Sequence, residues 1–246
     1  MANLLKIENL KVEANNKEIL KGVNLSIKPG EVQALLGPNA SGKTALSQVI
    51  LGNPKYKVTA GKILFKNKNI TNFPPEKRAK LGLALAWQYP PSIKGVKLSQ
   101  LLSKISSGRG RTLTNLAGRE FQAEKLLERE INVDFSGGEK KMSELLQILA
   151  LSPQLIIFDE IDSGLDIERM EKVVKTIKEK FVKKKVATLL ITHWGDALKF
   201  LKPDFTNVMM DGKIICCSKD YKRVLDTIKK YGYEKCKKCP FLAGRQ

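Results

Sequence analysis

The sequence has few cysteines and no long hydrophobic run. Four cysteines in 246 residues are too few for the disulfide framework of small secreted proteins, and their unpaired use is typical of a reducing compartment. The best apolar stretch, residues 145–151, contains Gln147 and is far shorter than the ~20 residues that cross a bilayer. Lys6 and Glu8 interrupt the amino terminus before a signal-peptide core could form. We therefore expect a cytoplasmic protein without membrane insertion.

Acidic residues are also scarce. Forty-four Lys and Arg against 25 Asp and Glu give a formal charge of +19, which would suit nucleic acid, an acidic protein or anionic lipid. The basic residues nevertheless form scattered clusters, at residues 62–68, 109–111, 175–185 and 235–238. This distribution favours a solvated lysine-rich surface, so a nucleic-acid partner is not expected.

The hydrophobic patterns predict an α/β fold. Two strand-like stretches, residues 5–13 and 18–27, predict an antiparallel edge at the amino terminus. Near-continuous apolar runs at residues 155–159 and 187–192 are typical of parallel strands covered on both faces. Apolar residues recur at helical spacing within residues 170–181, between these runs. The expected core is therefore a mixed sheet with helical crossovers.

The changes in pattern predict a single domain over residues 1–246 with an inserted helical lobe. The β pattern fades and helical spacing takes over between the two parts of the core. We predict a core lobe from residues 1–87 and 150–220, a helical lobe over residues 88–149, and a helical tail over residues 221–246.

The predicted tail contains a C-x-x-C pair, Cys236 and Cys239. One such pair is half a metal site, so a tail with free thiols is the favoured interpretation. The alternative is a zinc or iron–sulfur site completed by Cys216 and Cys217, by a partner or by a second subunit.

The most informative segment is an octapeptide between an apolar strand and a helical pattern. It matches G-x-x-x-x-G-K-[ST], the phosphate-binding loop. We expect its amides to hold the β-phosphate of a nucleoside triphosphate, Lys43 to reach the β and γ oxygens, and Thr44 to ligate Mg²⁺. The predicted loop residues are Gly37, Pro38, Asn39, Ala40, Ser41, Gly42, Lys43 and Thr44.

Four further side chains suit the chemistry of a bound triphosphate. Asp159 ends an apolar strand and is expected to hold Mg²⁺, and the adjacent Glu160 to polarise the attacking water. His193, the single histidine, closes another apolar strand and is expected to act on the γ-phosphate or the attacking water. Gln88 could ligate Mg²⁺ or water through its amide.

One further motif lies between Gln88 and Asp159 in the sequence. Ser136, Gly137, Gly138 and Glu139 follow Phe135 and open a helical pattern. With the phosphate loop, the acidic pair, Gln88 and His193 in this order, the chain resembles ABC-type ATPases along nearly its whole length. The resemblance identifies these four residues as the signature motif, residues 163–166, including Asp166, as the D-loop, and His193 as the switch histidine.

This resemblance implies ATP hydrolysis to ADP and phosphate, with Mg²⁺, on a P-loop NTPase fold. It also implies a transient homodimer that encloses two ATP molecules between the phosphate loop of one copy and the signature motif of the other. Ala40 stands where the family often has glycine, and no aromatic residue lies near Val12, where the family often stacks the adenine.

Within the ABC ATPases, residues 87–96, 135–141 and 159–166 are most similar to the SufC family of iron–sulfur cluster assembly. That similarity implies a SufB-like scaffold as partner, bound at residues 88–102. The alternatives are the ATPase subunit of an ABC membrane transporter and a nucleotide-gated protein that binds nucleic acid. We also expect Lys141 to pair with Glu160 in the resting monomer.

Overall fold

The computed structural model of the chain describes residues 2–106, 123–160, 166–192 and 195–238. In these ranges the strands are β1 (Leu5–Ala14), β2 (Lys17–Ile27), β3 (Val32–Leu36), β4 (Lys57–Phe65), β5 (Lys68–Asn69), β6 (Leu83–Ala86), β7 (Ile93–Lys97), β8 (Glu130–Ile131), β9 (Leu155–Asp159), β10 (Ala187–Ile191), β11 (Phe205–Met210) and β12 (Lys213–Ser218). The helices are α1 (Lys43–Leu51), α2 (Pro75–Leu81), α3 (Leu98–Ser106), α4 (Glu124–Leu127), α5 (Gly137–Leu151), α6 (Ile167–Ile177), α7 (Asp196–Leu201) and α8 (Tyr221–Tyr231). A π-helical turn (Lys178–Val182) continues α6, and a 3-10 helix (Tyr233–Lys238) follows α8. No helix in the described ranges is both long and apolar enough to cross a bilayer.

The amino-terminal part forms an antiparallel sheet in the order β2-β1-β4-β5. Strand β1 pairs with β2 on one side and β4 on the other, with register shifts in both ladders. Side chains alternate between buried and solvent-facing along β1 and β2, as expected of a sheet with one face against the core. The predicted antiparallel edge is confirmed.

The second sheet has the order β12-β11-β3-β10-β9-β6. Strands β11, β3, β10, β9 and β6 pair in parallel, and β12 pairs antiparallel with β11. Every residue of β3, β9 and β10 is buried, because helices cover both faces of this sheet. The predicted mixed α/β core is confirmed, and the carboxyl ends of its parallel strands share one edge.

The core divides into two hydrophobic clusters, one on each face of the parallel sheet. Leu35 packs with Leu46 and Ile50 of α1 in one cluster, which also contains the buried residues of β1 and β2. The neighbouring Leu36 belongs to the other cluster, with residues of α5 and α6. Successive side chains of a strand point to opposite faces, so each short apolar strand holds helices on both sides.

The described part of residues 88–149 contains helices α3, α4 and α5 and, in addition, a short antiparallel ladder between β7 and β8. The ladder was not predicted, because β8 is two residues long and carries no alternating pattern. It joins the segment that leaves β6 to the segment that precedes α5.

Arg78 joins α1 to the segment before α2. It is buried, and its guanidinium donates to the carbonyls of Val49 and Ile50 near the end of α1, and to those of Phe73 and Thr71. Burial lowers the pKa of Arg78 to about 10. The last carbonyls of a helix have no partner within the helix, so Arg78 satisfies the end of the helix that begins at the phosphate loop.

We expect Arg78→Met to lower the free energy of unfolding by about 3 kcal/mol, because four carbonyl acceptors lose a charged donor. Chemical denaturation monitored by circular dichroism measures the change. Lys80→Met, on the exposed face of α2, is the matched control and should change stability by less than about 0.5 kcal/mol. Equal losses in the two variants would contradict this role.

Candidate active site

The phosphate loop occupies the turn between β3 and α1, and its glycines are required by close contacts. A Cβ at Gly37 would lie 2.3 Å from the Met209 carbonyl oxygen and 2.7 Å from Ser41 Oγ. Gly42 has φ +108°, and a Cβ there would lie 2.9 Å from Leu20 Cδ2. Positive φ and absence of space both select glycine, so the sequence pattern has a steric cause here.

Ala40 adopts the left-handed conformation, with φ 60°. An alanine in this region costs roughly 1–2 kcal/mol relative to glycine. The glycine that the family often carries at this position therefore has a conformational reason, and this chain tolerates the strain.

Lys43 lies across the phosphate loop. It is buried, and its Nζ donates to the carbonyl oxygens of Gly37 and Pro38, each at 2.9 Å. Burial lowers the pKa of Lys43, while the nearby carboxylates of Glu160 and Asp159 act in the opposite direction. The ammonium group is thus held at the rim of the loop, where the oxygens of a phosphate could replace the two carbonyls as acceptors.

Asp159 ends β9 with a carboxylate that is only partly satisfied. The residue is 3% exposed, and Ser47 Oγ donates to its Oδ2 at 2.8 Å. Its Oδ1 is buried and has no hydrogen-bond partner among the described residues. Burial raises the pKa of Asp159, opposed chiefly by the Ser47 hydrogen bond. A buried carboxylate oxygen without a partner is a suitable ligand for Mg²⁺, and Thr44 is exposed to the adjacent cavity.

Glu160 and Gln88 contact each other directly. Gln88 Nε2 donates a short hydrogen bond to Glu160 Oε2. Glu160 has φ 53°, and its amide donates to the Ile191 carbonyl of β10 at 2.9 Å. The unusual backbone conformation of a non-glycine residue at the end of a sheet strand is typical of a functional position.

Lys43, Thr44, Gln88 and Glu160 line one cavity of about 780 Å³, and Asp159 is not among the described residues of its wall. Its described walls are residues 38–45 of the loop and α1, with Ile19, Gln88, Glu160 and Tyr233. A larger cavity, about 1130 Å³, lies between the antiparallel sheet and β11, β12 and α8; Cys217 lines it, and none of the residues predicted to bind nucleotide or Mg²⁺ does. The convergence of the phosphate loop, Gln88 and the carboxylate of Glu160, rather than size, identifies the smaller cavity as the candidate active site.

The signature motif lies elsewhere in the same chain. Ser136 caps α5: its Oγ accepts from the Glu139 amide, and Glu139 Oε2 accepts from the Ser136 amide at 2.7 Å. Glu139 also pairs with Arg129 at 3.0 Å. Of the described residues that line the smaller cavity, none belongs to residues 136–139. The predicted signature motif is therefore a capped helix start that adds no described residue to the wall of this cavity.

The remaining predicted positions have different outcomes. Asp166 is the exposed N-cap of α6, where its Oδ1 accepts from the Arg169 amide at 2.8 Å. His193, residues 163–165 and Cys239 lie outside the described residues. Cys216 and Cys236 are buried, and among the residues described no group of three or more His, Cys, Asp or Glu is arranged to hold a metal ion.

The expected pairing of Lys141 with Glu160 stays a prediction, and the structure places Lys141 beside Gln88. Its Nζ donates to the carbonyls of Trp87, at 2.5 Å, and Gln88, at 3.3 Å, and lies 3.7 Å from Glu144 Oε2. Lys141 is therefore linked to Glu160 by way of Gln88.

Two residues of the site were missed. Ser47 lies one turn after Thr44 on α1, and this helical spacing could have indicated its contact with Asp159. Tyr233 lines the cavity from the 3-10 helix. Burial raises the pKa of Tyr233, Cys236 adds to the shift, and a hydrogen bond with the Gly37 backbone lowers it. No sequence signal indicates Tyr233, because the contact joins residues far apart in the chain.

Comparisons with known proteins agree with this geometry. Residues 20–163 match the family model described as ABC transporter. A probable ABC transporter ATP-binding protein of Streptococcus pyogenes serotype M3 is 42% identical over 225 residues, covering 87% of this chain and 88% of that protein. Vegetative protein 296 of Bacillus subtilis is 40% identical over 226 residues, covering 87% and 86%. A nucleotide-free ATP-binding cassette from an ABC transporter has the same fold, with a TM-score of 0.80 at 23% identity, covering 96% of this chain and 98% of that one.

We expect Asp159→Asn to abolish most of the thermal stabilisation by Mg²⁺ and ATP without lowering Tm in their absence. The pKa of Asp159 is raised in the folded state, so the folded chain binds a proton at this carboxylate more tightly than the unfolded chain does. Stability therefore falls as pH rises from the unfolded-state pKa to the folded-state pKa, and above the latter the ionised carboxylate costs folding free energy. A neutral side chain removes the cost but is a poorer Mg²⁺ ligand.

Differential scanning calorimetry at pH 7, with and without Mg²⁺ and ATP, tests this expectation. A ligand present at about 100 times its Kd stabilises the parent by roughly 2.7 kcal/mol. Asp226→Asn, on the exposed face of α8, should retain that stabilisation. Full stabilisation of Asp159→Asn would show that the carboxylate does not hold the ion.

Proposed function

We propose a specific role for this chain, which belongs to the ABC transporter family of ATP-binding proteins and hydrolyses ATP. The chain is a SufC-like ATPase: two copies close on ATP and thereby change the conformation of a SufB-like scaffold on which iron–sulfur clusters are assembled. The observation that carries this role is the exposure of Trp87 and Tyr89 on either side of Gln88, at 44% and 77%. These residues begin the segment most similar to the SufC family.

The nucleotide chemistry follows from the cavity. The loop amides and Lys43 bind the β- and γ-phosphates, and the buried Asp159 with Thr44 would hold Mg²⁺. When bound, Mg²⁺ neutralises charge on the phosphate oxygens. Glu160 lies at the same edge and is the group that can orient and polarise the attacking water. To do so, it exchanges its hydrogen bond with Gln88 for one with that water.

A second copy would complete each site. The α5 terminus presents backbone amides and the positive end of a helix dipole, which suit a phosphate. Since the described wall of the nucleotide cavity includes no signature residue, the phosphate that this terminus binds would belong to another copy. The γ-phosphate would then bridge two subunits, and its hydrolysis would release them.

The partner would dock beside Gln88. Ile93, six residues after Trp87, is also exposed, at 42%. Several large exposed apolar side chains within one short segment favour an interaction site there. Docking next to Gln88 would connect the partner to the group that binds Glu160.

The second candidate is the ATPase subunit of a membrane transporter. The names of two relatives favour it: a protein of Streptococcus pyogenes is a probable ABC transporter ATP-binding protein, and one of Cyanophora paradoxa is a probable ATP-dependent transporter. A permease would use the same exposed aromatic surface, so the two functions differ in partner and share the nucleotide chemistry.

We expect Glu160→Gln to retain ATP binding and to slow hydrolysis by about 100-fold or more, because the base is lost while the loop is intact. Dimers should then accumulate with Mg²⁺ and ATP in size-exclusion chromatography with light scattering. Glu168→Gln, exposed in the first turn of α6, should hydrolyse ATP as the parent does. Monomers throughout, at saturating ATP, would count against a shared site.

We expect a native pull-down of the chain to recover a SufB-like scaffold from the soluble fraction. Tyr89→Ala should lower the yield at least about fivefold, since an interface aromatic often contributes more than 1 kcal/mol. Tyr231→Ala, 56% exposed on α8, is the control and should retain the partner. Recovery of a permease from detergent-solubilised membranes would support the transporter function instead.

A further inference from the structure

Tyr233 is the one aromatic side chain among the described residues that line the nucleotide cavity. It belongs to the 3-10 helix that follows α8, and it is half-buried. Aromatic side chains bind the faces of nucleobases by stacking, which contributes about 1–3 kcal/mol per base in proteins that bind single strands. The ring of Tyr233 therefore has the chemistry to bind the base of a nucleotide, provided that it lies on the correct side of the phosphate loop.

The strand order of the parallel sheet places Tyr233 and Glu160 on opposite sides of that loop. The phosphate loop follows β3, and Glu160 follows β9, with β10 between the two strands. The 3-10 helix of Tyr233 contacts β11 and β12, which lie on the other side of β3. The cavity thus has a carboxylate on one side of the loop and an aromatic ring on the other.

Ile19 adds an apolar side chain on the same side as Tyr233. The turn between β11 and β12 contacts both the loop and β2, because the Gly212 amide donates to the Ser41 carbonyl at 3.0 Å and the Gly212 carbonyl accepts from the Lys21 amide at 2.9 Å. Ile19 of β2 lines the cavity next to this turn. Neither Ile19 nor Tyr233 is charged, so this side of the cavity suits the nucleoside and not the phosphates.

The ring of Tyr233 is held from two directions. Its hydroxyl group forms a hydrogen bond with the backbone of Gly37, the first residue of the phosphate loop. The residue also packs against the hydrophobic cluster that contains Cys216 of β12 and the buried Cys236 of the same 3-10 helix. A side chain that is fixed before the ligand arrives loses little conformational entropy on binding.

We propose that Tyr233 contacts the base of bound ATP through its ring, which makes the carboxyl-terminal 3-10 helix part of the nucleotide site. A triphosphate with its γ-phosphate near Glu160 and its β-phosphate on the loop has its nucleoside on the Tyr233 side. Tyr233 therefore determines affinity for the nucleotide and takes no part in the hydrolysis step. The inference concerns nucleotide binding by one copy of the chain and does not depend on the partner proposed above.

Isothermal titration calorimetry with Mg²⁺ and ADP, which carries the base and is not hydrolysed, tests the proposal. Tyr233→Leu keeps an apolar side chain against the cluster but removes the aromatic face, so it should raise the Kd for ADP at least about tenfold. Tyr233→Phe keeps the ring without the hydroxyl group and should bind ADP within about threefold of the parent. Tyr231→Ala, exposed on α8 and outside the described wall of the cavity, is the matched control and should bind as the parent does.

Inorganic tripolyphosphate, which has no base, separates contact with the base from an effect on the phosphate loop. As a competitor of ADP, it should have the same inhibition constant, within about twofold, in the parent and in Tyr233→Leu. Equal weakening of both ligands, or a Tyr233→Phe chain as weak as Tyr233→Leu, would show that the hydroxyl group supports the loop and would overturn the proposal. Unchanged affinity of Tyr233→Leu for ADP would overturn it too.

Fluorescence provides a direct readout of the contact. Tyr233→Trp retains an aromatic face and places an emitting side chain at the site. After subtraction of the parent signal, which comes from Trp87 and Trp194, its emission should change with ADP and not with tripolyphosphate. The same change with both ligands, or none with ADP, would contradict a contact with the base, whereas failure of the pull-down would affect only the proposed partner.

Discussion

The parallel register of β3, β10 and β9 determines where the charged groups of the active site can lie. Ile191 of β10 is opposite Asp159 of β9 and Leu35 of β3, so the chain leaves all three strands at one level. The phosphate loop, the acidic pair and the start of α1 must therefore share one edge. Backbone hydrogen bonds among these three buried strands, and not the charges themselves, hold like-charged carboxylates beside each other and opposite a lysine.

That arrangement has an energetic consequence for the resting chain. Lys43, Asp159 and Glu144 are all buried, and burial disfavours the charged form of each group. The positive φ of Ala40 and Glu160 adds strain to the same region. Such costs must be offset by the rest of the fold. The two hydrophobic clusters on either side of the sheet are the available source of that stabilising free energy. Binding of a triphosphate with its cation would supply partners for groups that the fold alone leaves poorly satisfied.

Local sequence patterns predicted the parts of the site whose conformation depends on residues adjacent in the sequence. The phosphate loop, the strand ending in Asp159 and the capped helix at Ser136 are each short segments whose residue types specify their own conformation. Arg78, Tyr233 and the contacts of Glu144 with Trp87 are different. Each joins segments that are distant in sequence and uses side chains with no unusual composition around them. The β7–β8 ladder likewise depends on tertiary packing, because two residues cannot show a period of two.

Tyr233 gives the nucleotide cavity a wall that is synthesised after every other described residue lining it. A ribosome that has just completed α1 has produced the phosphate loop but not this wall, the strand that carries Asp159, or β11 beside β3. A chain synthesised only that far therefore has the phosphate loop but lacks Gln88, Glu160 and Tyr233, which line the same cavity in the folded protein.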